Sequence, residues 1–244
     1  MIKFSLLLIS TFLSFSSVHA ATVIKWQNKQ KGVQEVVINA SYARLQHNDS
    51  EDFTLLDRQA DTLYRVDQKR QLIIETNITE KRAEAKKNYS QLQKVDAYLK
   101  PSKQGQTIAQ QESQAYTMLV DMFSCSEEFF SKQALTIEYM PIFIELMTII
   151  NAIQHIQMQK IPFIHLHPCQ LAYMHLQEEF KTLGVPMKTV LKNGQVHHEL
   201  LSIKTKRIIP PSFFKLPKYK KVTDKAMKKV LEKELSQRIQ HSMQ

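Results

Sequence analysis

Glycine is nearly missing from this chain, with four in 244 residues. Phosphate-cradling loops and dinucleotide-binding turns each need several glycines within a few positions, so there is little material for a nucleotide site. Neither a Gly-x-Ser-x-Gly elbow nor a His-Glu-x-x-His pair occurs, and the chain therefore lacks the local signatures of serine hydrolases and zinc peptidases. Catalytic groups also assemble from distant residues, but nothing here points to such a set. The expectation is a protein that is not an enzyme and carries no cofactor. Long apolar runs are missing as well. Beyond the first twenty residues the most apolar stretch, 141–153, falls short of the ~20 residues that cross a bilayer, and it contains Glu145.

Residues 1–20 have the pattern of an export signal. Lys3 opens it, residues 4–15 are apolar apart from small hydroxyl side chains, and Val18-His19-Ala20 sets compact residues where a signal peptidase cuts. Cleavage near Ala20 would give an exported protein, periplasmic or secreted. The alternative, an uncleaved anchor, is disfavoured by the shortness of the apolar run. The formal charge of +10 is unevenly placed. From Lys204 onward, twelve Lys or Arg stand against Asp224, Glu232 and Glu234, so residues 21–203 are neutral. A basic tail on a neutral body suits an anionic surface such as lipid headgroups or cell-wall polymer; a merely solvated helical face has the same composition.

Along the mature chain, residues 22–26, 33–45, 53–56, 62–66 and 71–75 are β-prone runs separated by polar turns. Their regular spacing predicts an antiparallel meander with one face packed and the other wet. The period then changes. Ala85, Tyr89, Leu92, Val95 and Leu99 recur at three and four residues, which predicts an amphipathic helix over 79–99 ended by Pro101. Residues 107–109 and 115–122 read as a further strand pair. Helix is expected again from Ser124, with Pro141 in the first turn of a segment, 142–158, that is apolar on nearly all sides and must be covered. A last helix over 169–183 is expected to be capped by Gly184 in a left-handed conformation.

Asn193-Gly194 between two β-prone runs is the strongest local hairpin signal in the chain, because both residues tolerate the positive φ of a type I′ turn. It is preceded by Gly184-Val185-Pro186 and followed by Leu201-Ser202-Ile203, Ser212-Phe213-Phe214 and Pro217-Lys218-Tyr219-Lys220. This ending, with the short strands around Phe53-Thr54-Leu55-Leu56-Asp57 and Gln71-Leu72-Ile73-Ile74-Glu75, resembles a group of uncharacterised secreted bacterial proteins. Those proteins are similar in architecture to the periplasmic lipoprotein carriers LolA and LolB. The resemblance spans most of the chain up to Val222 and consists of strand patterns, with no catalytic motif. It implies an α+β fold: a curved antiparallel β-sheet, an incomplete barrel of the LolA-like kind, with helices on its concave side. The Asn-Gly hairpin would form the closing edge of that sheet. It also implies a single domain over residues 21–222; beyond the resemblance, the residues of 223–244 themselves predict a basic amphipathic helix.

In such an architecture an apolar cavity between sheet and helices would hold a lipid or a lipoprotein acyl chain. Phe143, Leu146, Met147 and Ile150 are the residues expected to line it. The competing expectation is that the apolar helix fills this space itself, leaving a structural or interaction protein of the cell envelope. Cys125 and Cys169, the only cysteines, are expected to form a disulfide in an oxidising compartment; two buried thiols are the alternative. A weaker alternative is a metal site of His165, His167 and Cys169, which share one side of an extended segment interrupted by Pro168. His197 and His198 are adjacent on a strand and face opposite sides, so they read as ordinary strand residues. In the tail, Thr223 and Asp224 can cap a helix whose apolar stripe includes Met227, beside Lys225, Lys228, Lys229, Lys233 and Arg238. That basic face could meet an anionic membrane or leave the helix docked on its own domain. Nucleic acid is not an expected partner, because export separates it from the chain and no row of exposed aromatics is evident.

Overall fold

The computed structural model describes residues 19–47, 50–89, 94–102, 105–159 and 166–227. The first six strands are β1 (His19–Asn28), β2 (Gly32–Ile38), β3 (Tyr42–His47), β4 (Phe53–Asp57), β5 (Thr62–Asp67) and β6 (Leu72–Asn77). Helix α1 (Ile78–Tyr89) follows, then β7 (Ala97–Pro101), β8 (Gln106–Ile108), β9 (Gln111–Val120) and β10 (Phe123–Ser131). Next come α2 (Met140–Gln159), α3 (Pro168–His175) and α4 (Gln177–Leu183). Strands β11 (Val185–Leu191), β12 (Val196–Ile209) and β13 (Lys220–Thr223) complete the sheet, and a fifth helix, α5, begins at Asp224. The strands form one open, curved sheet in the order β13-β6-β5-β4-β3-β2-β1-β12-β11-β10-β9-β7, with β8 paired to β9. The pairing of β13 with β6 is parallel and the others are antiparallel. The sheet is therefore mixed, where a purely antiparallel one was expected. Among the described residues no helix is long and apolar enough to cross a membrane.

Strand alternation sorts the side chains of β1–β6 onto two faces. Ile24, Trp26, Val36, Ile38, Leu45, Leu56 and Leu63 join Phe143, Leu146, Ile149 and Ile153 of α2 in the largest core cluster. Leu146 is wholly buried, and burying a side chain of this size stabilises by about 1.5–3 kcal/mol. The opposite face was expected to be wet, but it holds a second cluster of Val23, Val37, Phe53, Leu55, Tyr64, Val66 and Ile73. The segment after β12 crosses this face and covers it. Phe214 is buried there, Phe213 and Tyr219 pack beside it, and the Arg44 guanidinium lies between the rings of Phe53 and Phe213 at 3.7 and 4.3 Å. Continuous apolar runs such as Leu55-Leu56 and Ile73-Ile74 are the sequence trace of a sheet buried on both sides.

Several local expectations change in the folded chain. Residues 33–45 are two strands, because Asn39 makes an Asx turn: its Oδ1 accepts the amides of Ser41 and Tyr42 at 3.0 and 2.8 Å. Helix α1 is described over Ile78–Tyr89; of the rest of the expected helix, residues 90–93 lie outside the described residues, 94–96 are not helical, and Leu99 lies on β7, paired with Met118 of β9. Residues 123–131 are strand, held between β9 and β11; pairing on both sides overrides the helical leaning of the two glutamates. The last helix divides at Leu176 into α3 and α4. The Asn-Gly hairpin stands in the interior of the sheet, with β11 beside β10 and β12 beside β1. Its turn has four residues outside the strands. Gly194 alone has positive φ, +78°, and its amide donates to Leu191 O at 2.8 Å. That is a type I turn followed by a left-handed glycine, in place of type I′.

Candidate functional site: a cleft between α2 and the α3–α4 pair

Helices α3 and α4 pack on β7, β9 and β10, beside α2. Cys125, at the start of β10, and Cys169, in the first turn of α3, lie at disulfide distance with Cα atoms 5.6 Å apart. The bridge fixes the beginning of α3 to the sheet. His167 caps the same helix: its Nδ1 accepts the Cys169 amide at 3.2 Å, while Gln170 Oε1 accepts the His167 amide at 3.1 Å. Phe180 of α4 meets Phe130 of β10 and Tyr173 of α3 with ring centroids 5.3 and 5.1 Å apart. The chain leaves α4 through Gly184, whose φ is +131°, outside the left-handed helical region expected of a cap. A Cβ at Gly184 would stand 2.5 Å from the Ser131 carbonyl oxygen, so close backbone approach explains the glycine.

The space left between the helices is a cleft with about 60 Å³ of free volume. Its walls are apolar, with Phe143 and Met147 on one side and Tyr173 and Phe180 on the other. Its floor is polar. Glu128 stands opposite Thr189, and Thr189 opposite His198, across β10, β11 and β12, and cross-strand partners share a face of the sheet. The Ser126 hydroxyl donates to Glu128 Oε1 at 2.6 Å and the Thr189 hydroxyl donates to Glu128 Oε2. Burial pushes the Glu128 carboxyl up, against the pull of these two hydroxyls. Burial, reinforced by the Glu128 carboxyl, also raises the Tyr173 phenol far above its usual range. The His198 imidazole is pushed down to about 4, first by burial and then by His197. Burial thus opposes charge on all three groups.

The residues expected to line a cavity all pack in or against the main core, and only two of them also reach the cleft. Phe143 and Met147, four apart on α2, border the cleft. Leu146 and Ile150 pack in the main core, Leu146 wholly buried and Ile150 partly so. Of the weak metal alternative, Cys169 is taken by the bridge to Cys125 and His167 by the cap of α3; His165 lies outside the described residues. Among the described residues no three His, Cys, Asp or Glu are grouped to hold an ion. Lys225 is exposed, whereas Lys228, Lys229, Lys233 and Arg238 lie outside the described residues. Helix α5 starts where expected: Thr223 Oγ1 accepts the Ala226 amide at 3.3 Å. It is docked from its first turn, with Asp224 2.8 Å from Arg65 and Met227 buried. The polar floor of the cleft was missed from sequence, because Glu128 sits in a stretch read as helix. The signal available was the run Ser124-Cys-Ser-Glu-Glu-Phe-Phe-Ser131, whose alternate members 126, 128 and 130 point to one side once it is read as strand.

No protein-family model matches the chain, and neither does any curated protein. Among solved structures, an uncharacterized conserved protein from Thermus thermophilus is similar at 10% identity, over 86% of this chain and 91% of that one, with a TM-score of 0.38. PNGF-II is similar at 12% identity and a TM-score of 0.40, over 86% of this chain and 32% of its own. MucB is similar at 9% identity and a TM-score of 0.31, over 85% of this chain and 60% of its own. The chain thus spans about a third of PNGF-II and less than two thirds of MucB. At these scores the similarities carry no inference about chemistry.

Proposed function

We propose that this is a non-enzymatic interaction protein of the cell envelope whose core is filled by its own helix, α2, and which acts through its surface. The architecture we favour remains the LolA-like one, with the helix in the place where a carrier would hold its cargo. One observation carries this reading: Phe143, Leu146, Ile149 and Ile153 are all packed into the sheet, and the neighbouring cleft offers about 60 Å³. Pockets that hold small molecules enclose roughly 300–1,000 Å³, so the cleft has room for a few waters and no more. Export is supported by the leader-like residues 1–20 and by the cysteine pair, since structural disulfides persist in oxidising compartments. Cleavage after Ala20 would leave β1 paired with β12 from Ala21 onward.

A second reading keeps a lipid or lipoprotein acyl chain as ligand, and the apolar walls of the cleft, above a floor where burial opposes charge, favour it. In that case α3 and α4 would part from α2 about the Cys125–Cys169 bridge. Titration with a fluorescent long-chain acyl probe separates the two. A self-filled core gives no saturable signal with the wild-type chain, and Leu146→Ala, which opens a cavity beneath α2, gains one. Saturable binding by the wild type that Met147→Trp abolishes would establish the acyl-chain reading in its place.

A further inference from the structure

We propose that one edge of the sheet docks on a bilayer bearing anionic lipid, with the tip of the β9–β10 hairpin inserted among the headgroups. The turns β1–β2, β11–β12 and β9–β10, together with the entry to β7, lie side by side along this edge. The registers Asn28↔His198, Ser126↔Leu191 and Ala97↔Val120 place them there. Main-chain bonds knit them together: Lys29 N to His197 O at 2.9 Å, Lys192 N to Cys125 O at 3.2 Å and Asp121 N to Asp96 O at 2.9 Å.

At the hairpin tip, Met122 is 81% exposed and Phe123 70%. Met122 is the most exposed large apolar side chain among the described residues, although the Tyr98 hydroxyl reaches its sulfur at 3.4 Å. The backbone also turns through two positive φ angles at this place, as it does at Ala109-Gln110. Asp121 and Met122 have φ of +47° and +71°, a conformation that glycine and asparagine adopt readily and methionine does not. The neighbouring β11–β12 turn meets its own positive φ with Gly194 and exposes polar Lys192 and Asn193. Two unfavourable features, strain and apolar exposure, thus coincide at residues that a plain Asn-Gly turn could replace, and such coincidences mark functional tips.

The surroundings select the partner. Lys29, Lys31, Lys94 and Lys192 are exposed on these turns, against Asp96 and Asp121. This balance favours an anionic surface. Two side chains on a convex tip bury far too little area for a stable protein interface, which needs roughly 1,000 Å² or more. A bilayer interface accepts such a tip without a matching pocket, to a depth of ~5–10 Å. The inference is independent of what the cleft holds, and it uses none of the basic residues that follow Thr223.

Sedimentation of the full mature chain with vesicles tests it. The vesicles are phosphatidylcholine alone or with about a quarter phosphatidylglycerol. The wild type is expected to bind the anionic vesicles. Met122→Ser/Phe123→Ser should bind about tenfold or more weakly while melting like the wild type. Lys29→Gln/Lys192→Gln should lose the preference for phosphatidylglycerol. Replacing Lys225, Lys228, Lys229, Lys233 and Arg238 by glutamine should leave the effect of the hairpin variant intact. Phe123→Trp should show blue-shifted emission quenched by brominated lipid. Absence of wild-type binding, equal binding by the Met122→Ser/Phe123→Ser variant, or an unshifted Phe123→Trp spectrum would each overturn the proposal.

Discussion

Replacing Cys125 and Cys169 together by serine removes the one covalent tie between the helical layer and the sheet. The two cysteines are 44 residues apart in sequence. In the chain-entropy description, closing a loop of that length takes roughly 13 cal/mol/K from the unfolded ensemble, or about 4 kcal/mol at room temperature. Residual structure in the unfolded chain lowers that figure, so the expected loss is between about 2 and 4 kcal/mol. For a chain of this size it corresponds to a fall in Tm of about 4 to 16 °C. The loss should also be local. With the bridge gone, α3 is held over β10 by the Tyr173, Phe180 and Phe130 rings. Urea unfolding followed by circular dichroism gives the global change, and hydrogen exchange gives its distribution. Amides of α3 and α4 should lose protection first, while β2 to β5 keep theirs until global unfolding. A double variant within about 1 kcal/mol of the wild type, with unchanged exchange in α3, would refute the assignment of the bridge as the clamp on this layer.

Three further outcomes follow from the same geometry. Gly184→Ala should cost about 3 kcal/mol or more, since its Cβ would meet the Ser131 carbonyl at 2.5 Å; Gly194→Ala, with open space around it, should cost only about 1–2 kcal/mol by urea unfolding. Leu146→Ala should cost roughly 2–5 kcal/mol and the half-buried Ile150→Ala clearly less, as read from the same unfolding curves. The pH dependence of stability should show two opposed contributions. His198 is held near 4 when folded against 6.5 in the unfolded chain, so as pH falls from 6.5 to 4 the unfolded state binds the extra proton and stability drops, by at most about 3 kcal/mol. Glu128 is raised, so the folded state takes its proton first and stability rises as pH falls towards the usual carboxylate range. His198→Gln should therefore flatten the acid loss and Glu128→Gln should steepen it. Identical slopes in all three proteins would show that neither side chain is buried as described.

Elements marked off by local composition were readable in advance. The short strands β4, β5 and β6 and the apolar helix α2 lie within a few residues of their expected limits, because short apolar runs between polar turns, and one long run apolar on nearly all sides, leave a clear trace. The start of α5 was readable for a related reason, a Thr-Asp pair at its cap. The cysteine pair was readable because only two cysteines exist. Elements decided by distant partners were not. Val95 and Leu99 fit a helical stripe with Ala85 and Tyr89, but hydrogen bonds from β9 hold Leu99 in a strand. Helix was expected from Ser124, yet two flanking strands and two hydroxyl partners keep Glu128 in the sheet. The covering of the outer face by Phe213 and Phe214 was invisible locally, since which face a crossing segment chooses depends on the whole sheet. The cleft combines three such cases, and only its α2 wall, Phe143 and Met147, was named from sequence.

Whether α2 alone occupies the inner face is read most directly by native mass spectrometry of the intact protein, purified without detergent from the cells that make it. A self-filled core predicts one dominant species with the mass of the bare polypeptide less two hydrogens for the Cys125–Cys169 bridge. A reproducible adduct with the mass of a lipid or fatty acid, lost when Met147→Trp fills the cleft, would contradict it.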